Sequence, residues 1–255
     1  MYRLLVRSAC LAGAVAVCTS CAQQWQLTGM ERTRVLVDKR YDARSDAKAA
    51  QFLAPYSATV DSMMSPVVGR TARFMASHRP ESELSNLLSD ILAWASAHFD
   101  EKVDFAVYNM GGIRAALPEG NVTVGDVLDV APFENKISFL TLSGDKVKEL
   151  FEQMARRGGE GVSASVKLRI TQDGRLVSAS VAGKPIDDKA SYRIATLDYL
   201  AQGNDELVAF KAKTNVVAPA GDDNNVRNII MDYFREAAAK GMAVDSRMDG
   251  RIVKE

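Results

Sequence analysis

Between positions 82 and 99 the apolar residues Leu84, Leu87, Leu88, Ile91, Leu92 and Ala95 recur at three- and four-residue intervals. That spacing lays them along one stripe of a helix. Ser82 stands where an N-cap hydroxyl would take the first free amides, so the pattern predicts the strongest helix of the chain over 82–99. A second stripe, Phe52, Leu53, Tyr56, Val60 and Met63, predicts a helix over Ala47–Met64 that Pro55 kinks and Pro66 closes. Two further amphipathic runs predict helices over 146–156, capped by Ser143-Gly144-Asp145, and over 225–239. Apolar runs predict strands at 103–108, 136–142 and 192–196. The runs 162–170 and 176–181 flank the turn Gln172-Asp173-Gly174 and predict a hairpin. Residues 33–37 alternate like a short strand, 66–75 read as extended chain, and 122–130 as a short helix or turn. The mixture is α+β without internal repeats.

Composition narrows the class. The chain has 255 residues, 47% of them hydrophobic and 25% charged, which suits a globular domain with a sizeable core. Its 32 basic and 32 acidic residues cancel, which argues against a surface built to hold long nucleic acid by its phosphates. The N-terminus differs from the rest. Arg3 and Arg7 precede the apolar run 11–17, which the small residues Thr19 and Ser20 and then Cys21 follow. That run is shorter than the roughly 20 residues of a membrane-spanning helix and reads as an export signal over 1–20. A cysteine after two small residues predicts a lipoprotein cleavage site with Cys21 as the lipidated first residue, although Cys18 stands where leucine is more usual; ordinary signal cleavage is the alternative. Removing the signal takes away Cys10 and Cys18, so no disulfide can form in the remainder. Residues 21–46 read as a spacer and 47–255 as the folded domain. The expected location is the cell envelope, periplasm or outer membrane.

Several chemistries lack their residues. The two histidines, His78 and His98, fall on different elements without acidic partners at ligand spacing, so no metal site and no Ser/His/Asp or Cys/His triad is predicted. The turn at Gly111-Gly112 ends in no Gly-Lys-Ser/Thr and has no third spaced glycine, so it matches neither phosphate-loop pattern.

Three segments instead suggest recognition of an aromatic anionic molecule. In Asn109-Met110-Gly111-Gly112-Ile113-Arg114, paired glycines permit close approach of backbone amides and positive φ, flanked by an amide and a guanidinium. In Ala131-Pro132-Phe133-Glu134-Asn135, proline fixes the backbone before a ring. In 198–205, Tyr199 and Asp205 share one loop after a strand. Two facing rings would sandwich a base, with about 1–3 kcal/mol of stacking per base.

In order along 47–252, with Ser85-Asn86-Leu87-Leu88-Ser89-Asp90 and the closing Asp249-Gly250-Arg251-Ile252, these segments resemble the C-terminal domain of the 5'-nucleotidase and UDP-sugar hydrolase family. The resemblance implies a layered α/β/β/α fold with mixed sheets after a linker helix. It also implies a nucleoside-binding role, with Asn109, Gly111, Gly112 and Arg114 in the family's Asn-x-Gly-Gly-Ile-Arg motif. Phe133 and Tyr199 match its stacking rings, Asp205 its ribose-binding acid and, in a loosely aligned stretch, Arg79 a further substrate arginine. Asn204 and Glu206-Leu207 depart from the family's glycines and aromatic, which implies a stiffer or differently shaped ribose loop. Packed-core roles for Phe133 and Tyr199, a surface role for Arg114 and Arg79 and a turn role for Asp205 remain open alternatives. Residues 1–46 read as signal and spacer where the family has its metal-bearing domain. The implied arrangement is therefore a nucleotide- or nucleoside-binding chain with no catalytic residue, cofactor or metal of its own. A separate metallophosphoesterase would supply divalent metals. A stand-alone surface receptor and a structural subunit with a vestigial pocket are the rival readings, and homodimerisation stays open.

Overall fold

The computed structural model describes residues 27–36, 40 and 46–255. The export signal and Cys21 lie outside the described residues. The chain divides into two units, Met1–Phe52 and Leu53–Glu255. In the first, residues 33–36 form no strand; Val35 and Leu36 are exposed, and a lone strand leaves its ladder groups to water. The first helix, α1 (Ala47–Met64), carries Pro55 internally and buries none of its residues.

The second unit holds the core. Its central sheet has five strands: β2 is Phe105–Tyr108, β4 Ile137–Ser143, β5 Gly161–Val162, β9 Ser191–Leu197 and β10 Thr214–Val217. They lie in the order β10-β4-β9-β2-β5. The β2–β9 pair is parallel and the other pairs are antiparallel. Side chains of these strands alternate between two cores, as the two-residue period of a strand requires. Ala106, Tyr108, Ile137 and Phe139 join Leu84, Leu87, Leu88 and Ile91 of α2 (Glu83–Ala95) and Ile230 and Phe234 of α6 (Val226–Ala239). Phe105, Val107, Leu140 and Leu142 join Val147, Leu150, Phe151 and Met154 of α4 (Gly144–Arg156) on the other side. That second core also takes in a mixed four-stranded sheet made of Val166–Ile170 (β6), Leu176–Val181 (β7), Lys184–Pro185 (β8) and Ile252–Lys254 (β11). Its order is β11-β6-β7-β8. A two-stranded ribbon pairs β1 (Val67–Thr71) with β3 (Gly120–Thr123), and α3 (Val124–Val130) follows it. The fold is layered α+β with mixed sheets.

The strongest sequence stripe is a helix, with Ser82 and Ser85 forming a reciprocal capping box. The run 162–170 is divided. Ser163 Oγ accepts the Ala106 amide at 2.9 Å, which ends the central ladder, and the chain then crosses to the second sheet as β6. The hairpin of β6 and β7 is present as expected.

Both motifs 85–90 and 249–252 serve structure. Arg251, 4% exposed, donates to Asp90 Oδ1 and Oδ2 at 2.8 and 2.7 Å and to the Val162 carbonyl at 2.9 Å. Buried Glu81 accepts from Asn86 Nδ2, from the Asp249 amide and from the Ile252 amide at 2.8, 2.9 and 3.3 Å. Burial works to lower the Arg251 pKa, but the Asp90 hydrogen bonds and charge outweigh it and hold the guanidinium above its ordinary value. The result is a C-terminal strand locked onto β6 by a polar network in which each buried charge has partners.

Candidate functional site

Where β2 ends, its chain turns through a 3-10 turn at Met110–Gly112. Gly112 is held there by space rather than by φ, because neither Gly111 nor Gly112 adopts a positive φ. A Cβ on Gly112 would stand 2.7 Å from Asn109 Oδ1, whereas one on Gly111 would meet Asp205 Oδ2 at an ordinary 3.7 Å. The Met110 amide is taken by the protein itself, donating to Glu160 Oε2 at 2.6 Å. Glu160 has a fully buried side chain and also accepts from Arg157 Nε at 2.8 Å and from Arg79 Nη2. Arg79 Nε donates to the Gly159 carbonyl at 2.9 Å. The Gly-Gly turn is thus stapled to the end of α4 by an internal carboxylate.

In front of the turn lies a cavity of about 230 Å³ lined by Asn109, Gly111, Gly112, Phe133, Asn135, Arg157, Tyr199 and Asp205. A hollow beside Trp94, His98 and Phe99 is larger, at about 490 Å³, so size does not single this one out. Its chemistry does: two aromatic rings and the polar or glycine positions around them converge on it from separate segments. Six of the eight residues singled out from the sequence meet here. Phe133 is 49% exposed and Tyr199 38%, so neither ring is spent on core packing. Arg114 is exposed, with its Nη1 3.4 Å from the Gly111 carbonyl, and it and Arg79 stand outside the cavity lining.

The floor is a polar network around Asp205. Its Oδ2 accepts from Asn109 Nδ2 and its Oδ1 from the Tyr199 hydroxyl, both at 3.0 Å. Arg157 Nη2 approaches Oδ2 at 3.7 Å. The hydrogen bond to Asp205 raises the Tyr199 pKa, with a further contribution from desolvation, so the phenol stays a donor at neutral pH. Burial works to lower the Arg157 pKa, but Glu160 and then Asp205 outweigh it and the net shift is upward. Asn109 is 4% exposed, and its Oδ1 has no hydrogen-bond partner among the described residues, which leaves a buried acceptor unpaired behind the cavity lining. The loop carrying Asp205 is strained: Asp205 and Glu206 have φ of 54° and 60° after Gly203 at 82°, conformations that cost a side-chain-bearing residue of order 1 kcal/mol or more. Asn204 Nδ2 fastens the loop to the Tyr199 carbonyl at 2.8 Å.

Arg157, Glu160 and Asn135 were not singled out from the sequence. Asn135 lay within the quoted Pro-Phe segment. The signal for the other two is Arg157-Gly158-Gly159-Glu160-Gly161, where an acid set among glycines at a helix end marks a backbone that must pass close to something. His78 and His98 are apart: His78 Nε2 lies 4.0 Å from Glu83, and the His98 ring packs on Trp94 at 4.4 Å. Among the described residues no three His, Cys, Asp or Glu side chains are placed to hold a metal ion. Among the described residues lining the cavity, Asp205 is the one carboxylate, and it is engaged by Asn109, Tyr199 and Arg157.

A layered α+β domain with mixed sheets and loops gathered around one small cavity is the class this geometry defines. The family described as 5'-nucleotidase, C-terminal domain, matches residues 65–212, and the chain belongs to it. Protein UshA of Yersinia enterocolitica is 36% identical over 107 residues, 40% of this chain and 19% of the relative. A 5'-nucleotidase of Vibrio cholerae is 28% identical over 171 residues, 64% of this chain and 30% of the relative. The solved 5'-nucleotidase precursor of Thermus thermophilus superposes with a TM-score of 0.71 at 25% identity, covering 81% of this chain and 43% of that one. The chain therefore spans less than half the length of these relatives.

Proposed function

We propose that this chain is the exported substrate-recognition part of a 5'-nucleotidase-type phosphohydrolase. Phe133 and Tyr199 take the base between their faces, Asp205 accepts from the ribose hydroxyls, and Asn109 orients Asp205 by donating to its Oδ2. Arg114, free of the cavity floor, offsets phosphate charge at its mouth. Divalent metals and the attacking water come from a metallophosphoesterase partner. Arg3 and Arg7 ahead of the apolar run 11–17, with Cys21 after it, support export and a lipid anchor.

The observation that carries this reading is the pair of half-exposed rings on one cavity whose lining also holds an acid and two amides. At about 230 Å³ the space is below the roughly 300–1,000 Å³ that encloses a drug-sized ligand. It suits a ring system whose sugar and phosphate extend outward. Such a site gains from stacking and from hydrogen bonds to the Asp205 carboxylate.

Calorimetric titration of the purified chain with AMP, adenosine and ribose 5-phosphate tests the reading. Binding of AMP and adenosine with weaker binding of ribose 5-phosphate is expected. Equal affinity for AMP and ribose 5-phosphate, or no binding of any of them with or without a metallophosphoesterase, would overturn it. Phosphate release from AMP by the lone chain with divalent metal would place catalysis here and contradict the division of labour.

A further inference from the structure

The two rings sit on different segments, and one side chain joins those segments. Strands β4 and β9 pair antiparallel with Ile137 opposite Leu197. One step further the Asp198 amide donates to the Lys136 carbonyl at 2.8 Å. A ladder would continue with the Lys136 amide donating to the backbone carbonyl of Asp198. That rung is not made by backbone, because the chain leaves the sheet at this point and turns into α5 (Asp198–Ala201), a single helical turn carrying Tyr199. The Asp198 side chain replaces the missing carbonyl: its Oδ1 accepts from the Lys136 amide at 3.0 Å. The same oxygen accepts from the Tyr199 amide at 2.9 Å.

One carboxylate oxygen therefore holds the backbone three residues from Phe133 and the backbone of Tyr199 together. The far side of the Phe133 segment is moored separately. The Val226 amide donates to the Asn135 carbonyl at 3.0 Å, Lys136 and Asn225 form an isolated bridge, and Arg227 pairs with exposed Glu134 at 3.3 Å. Those contacts fix the Phe133 segment against α6 but do not reach Tyr199. Beside the backbone bond from the Asp198 amide to Lys136, the Asp198 carboxylate is a side-chain tie between the two walls, and it does not itself line the cavity.

We propose that Asp198 is a positioning residue that sets the gap between the Phe133 and Tyr199 rings and so the site's preference for ligands bearing a base. The proposal rests on the stacking reading above. Two predictions separate it from a merely structural role. Asp198→Ala removes the shared acceptor, so the preference for AMP over ribose 5-phosphate should fall about tenfold while ribose 5-phosphate binding stays within about twofold of the parent. Asp198→Asn keeps an Oδ1 acceptor for both amides and should restore the parent's preference.

The experiment is calorimetry of the full chain and both variants with AMP and ribose 5-phosphate, with thermal melts alongside. A D198A protein that keeps the parent's AMP preference overturns the proposal. If D198A does not fold, the Asn variant decides: a D198N protein that melts like the parent but has lost base preference also overturns it, and one that keeps preference supports it. A parent chain that does not distinguish AMP from ribose 5-phosphate removes the stacking reading and this inference with it. Loss in the D198A variant alone leaves both standing.

Discussion

Two polar networks in this chain are built to opposite specifications. At the C-terminal lock, Arg251, Asp90, Glu81 and Asn86 are all partnered within the protein, and Arg251 is 4% exposed. At the cavity, Asp205 takes two hydrogen bonds and the nearby Arg157 charge on its protein side, while Asn109 keeps a buried acceptor unpaired among the described residues and two rings stand half in solvent. A closed network spends its hydrogen bonds on holding an element in place. An open one leaves groups without partners in the protein, at a cost in stability that the surrounding fold must cover. Glu160 lies between the two types: it is fully buried and saturated by Arg157, Arg79 and the Met110 amide, yet what it holds is the turn that forms one wall of the cavity.

Cutting the lock should have the largest effect and leave recognition alone. Asp90→Ala removes the shortest ionic partner of a buried guanidinium and leaves it Asp249 and backbone carbonyls, so urea unfolding should show a loss of about 3 kcal/mol, with AMP affinity unchanged below the melting transition. An AMP affinity that falls in step with stability would show that the two regions are not separable. Glu160→Ala should act on both, costing about 2–3 kcal/mol because Arg79 and Arg157 recover some solvent contact, and weakening AMP binding as the 109–112 turn loosens. Unaltered binding in this variant would detach Glu160 from the cavity. Phe133→Ala and Tyr199→Ala should reverse the pattern. Each should weaken AMP about tenfold or more, from about 1–3 kcal/mol of stacking, with melts close to the parent's and ribose 5-phosphate spared. The smallest contrast is within the turn. Gly112→Ala should cost about 1–2 kcal/mol by pressing on the Asn109 amide, whereas Gly111→Ala should leave stability unchanged. Equal melts for the two would refute the steric account.

Long periodic segments were legible in the sequence and short ones were not. The stripe of α2 and the runs of β2, β4 and β9 bury their apolar residues, so the pattern is written locally. Strands β5, β8 and β11 have only two or three residues; they exist because a neighbour offers a free edge, which no local pattern states. The division of 162–170 hinged on Ser163 acting as a backbone substitute, a role that depends on Ala106 lying beside it. The motif 249–252 was legible as a family mark, but its work as a lock depends on Asp90, which lies far away in sequence.

The site divided in the same way. Asn109, Phe133, Tyr199 and Asp205 were found through motif resemblance, and the fold brings them to one cavity. Glu160 and Arg157 were missed because a buried carboxylate reveals its role only through what it touches. Of the two reasons for glycine at 112, positive φ does not hold, and the space of a missing Cβ is needed against Asn109. Asp198 was quoted as part of a loop, but the hydrogen bonds that tie it to Lys136 and to Tyr199 emerge only when β4 lies beside β9.

The central claim is that a base lies between two particular rings. Isotope-filtered nuclear Overhauser spectroscopy of the chain with AMP reads this directly, with the ring protons of Phe133 and Tyr199 assigned from the two alanine variants. Cross-peaks from the adenine ring protons to both side chains are the expected result. Contacts to neither ring, with AMP bound elsewhere on the chain, would contradict it.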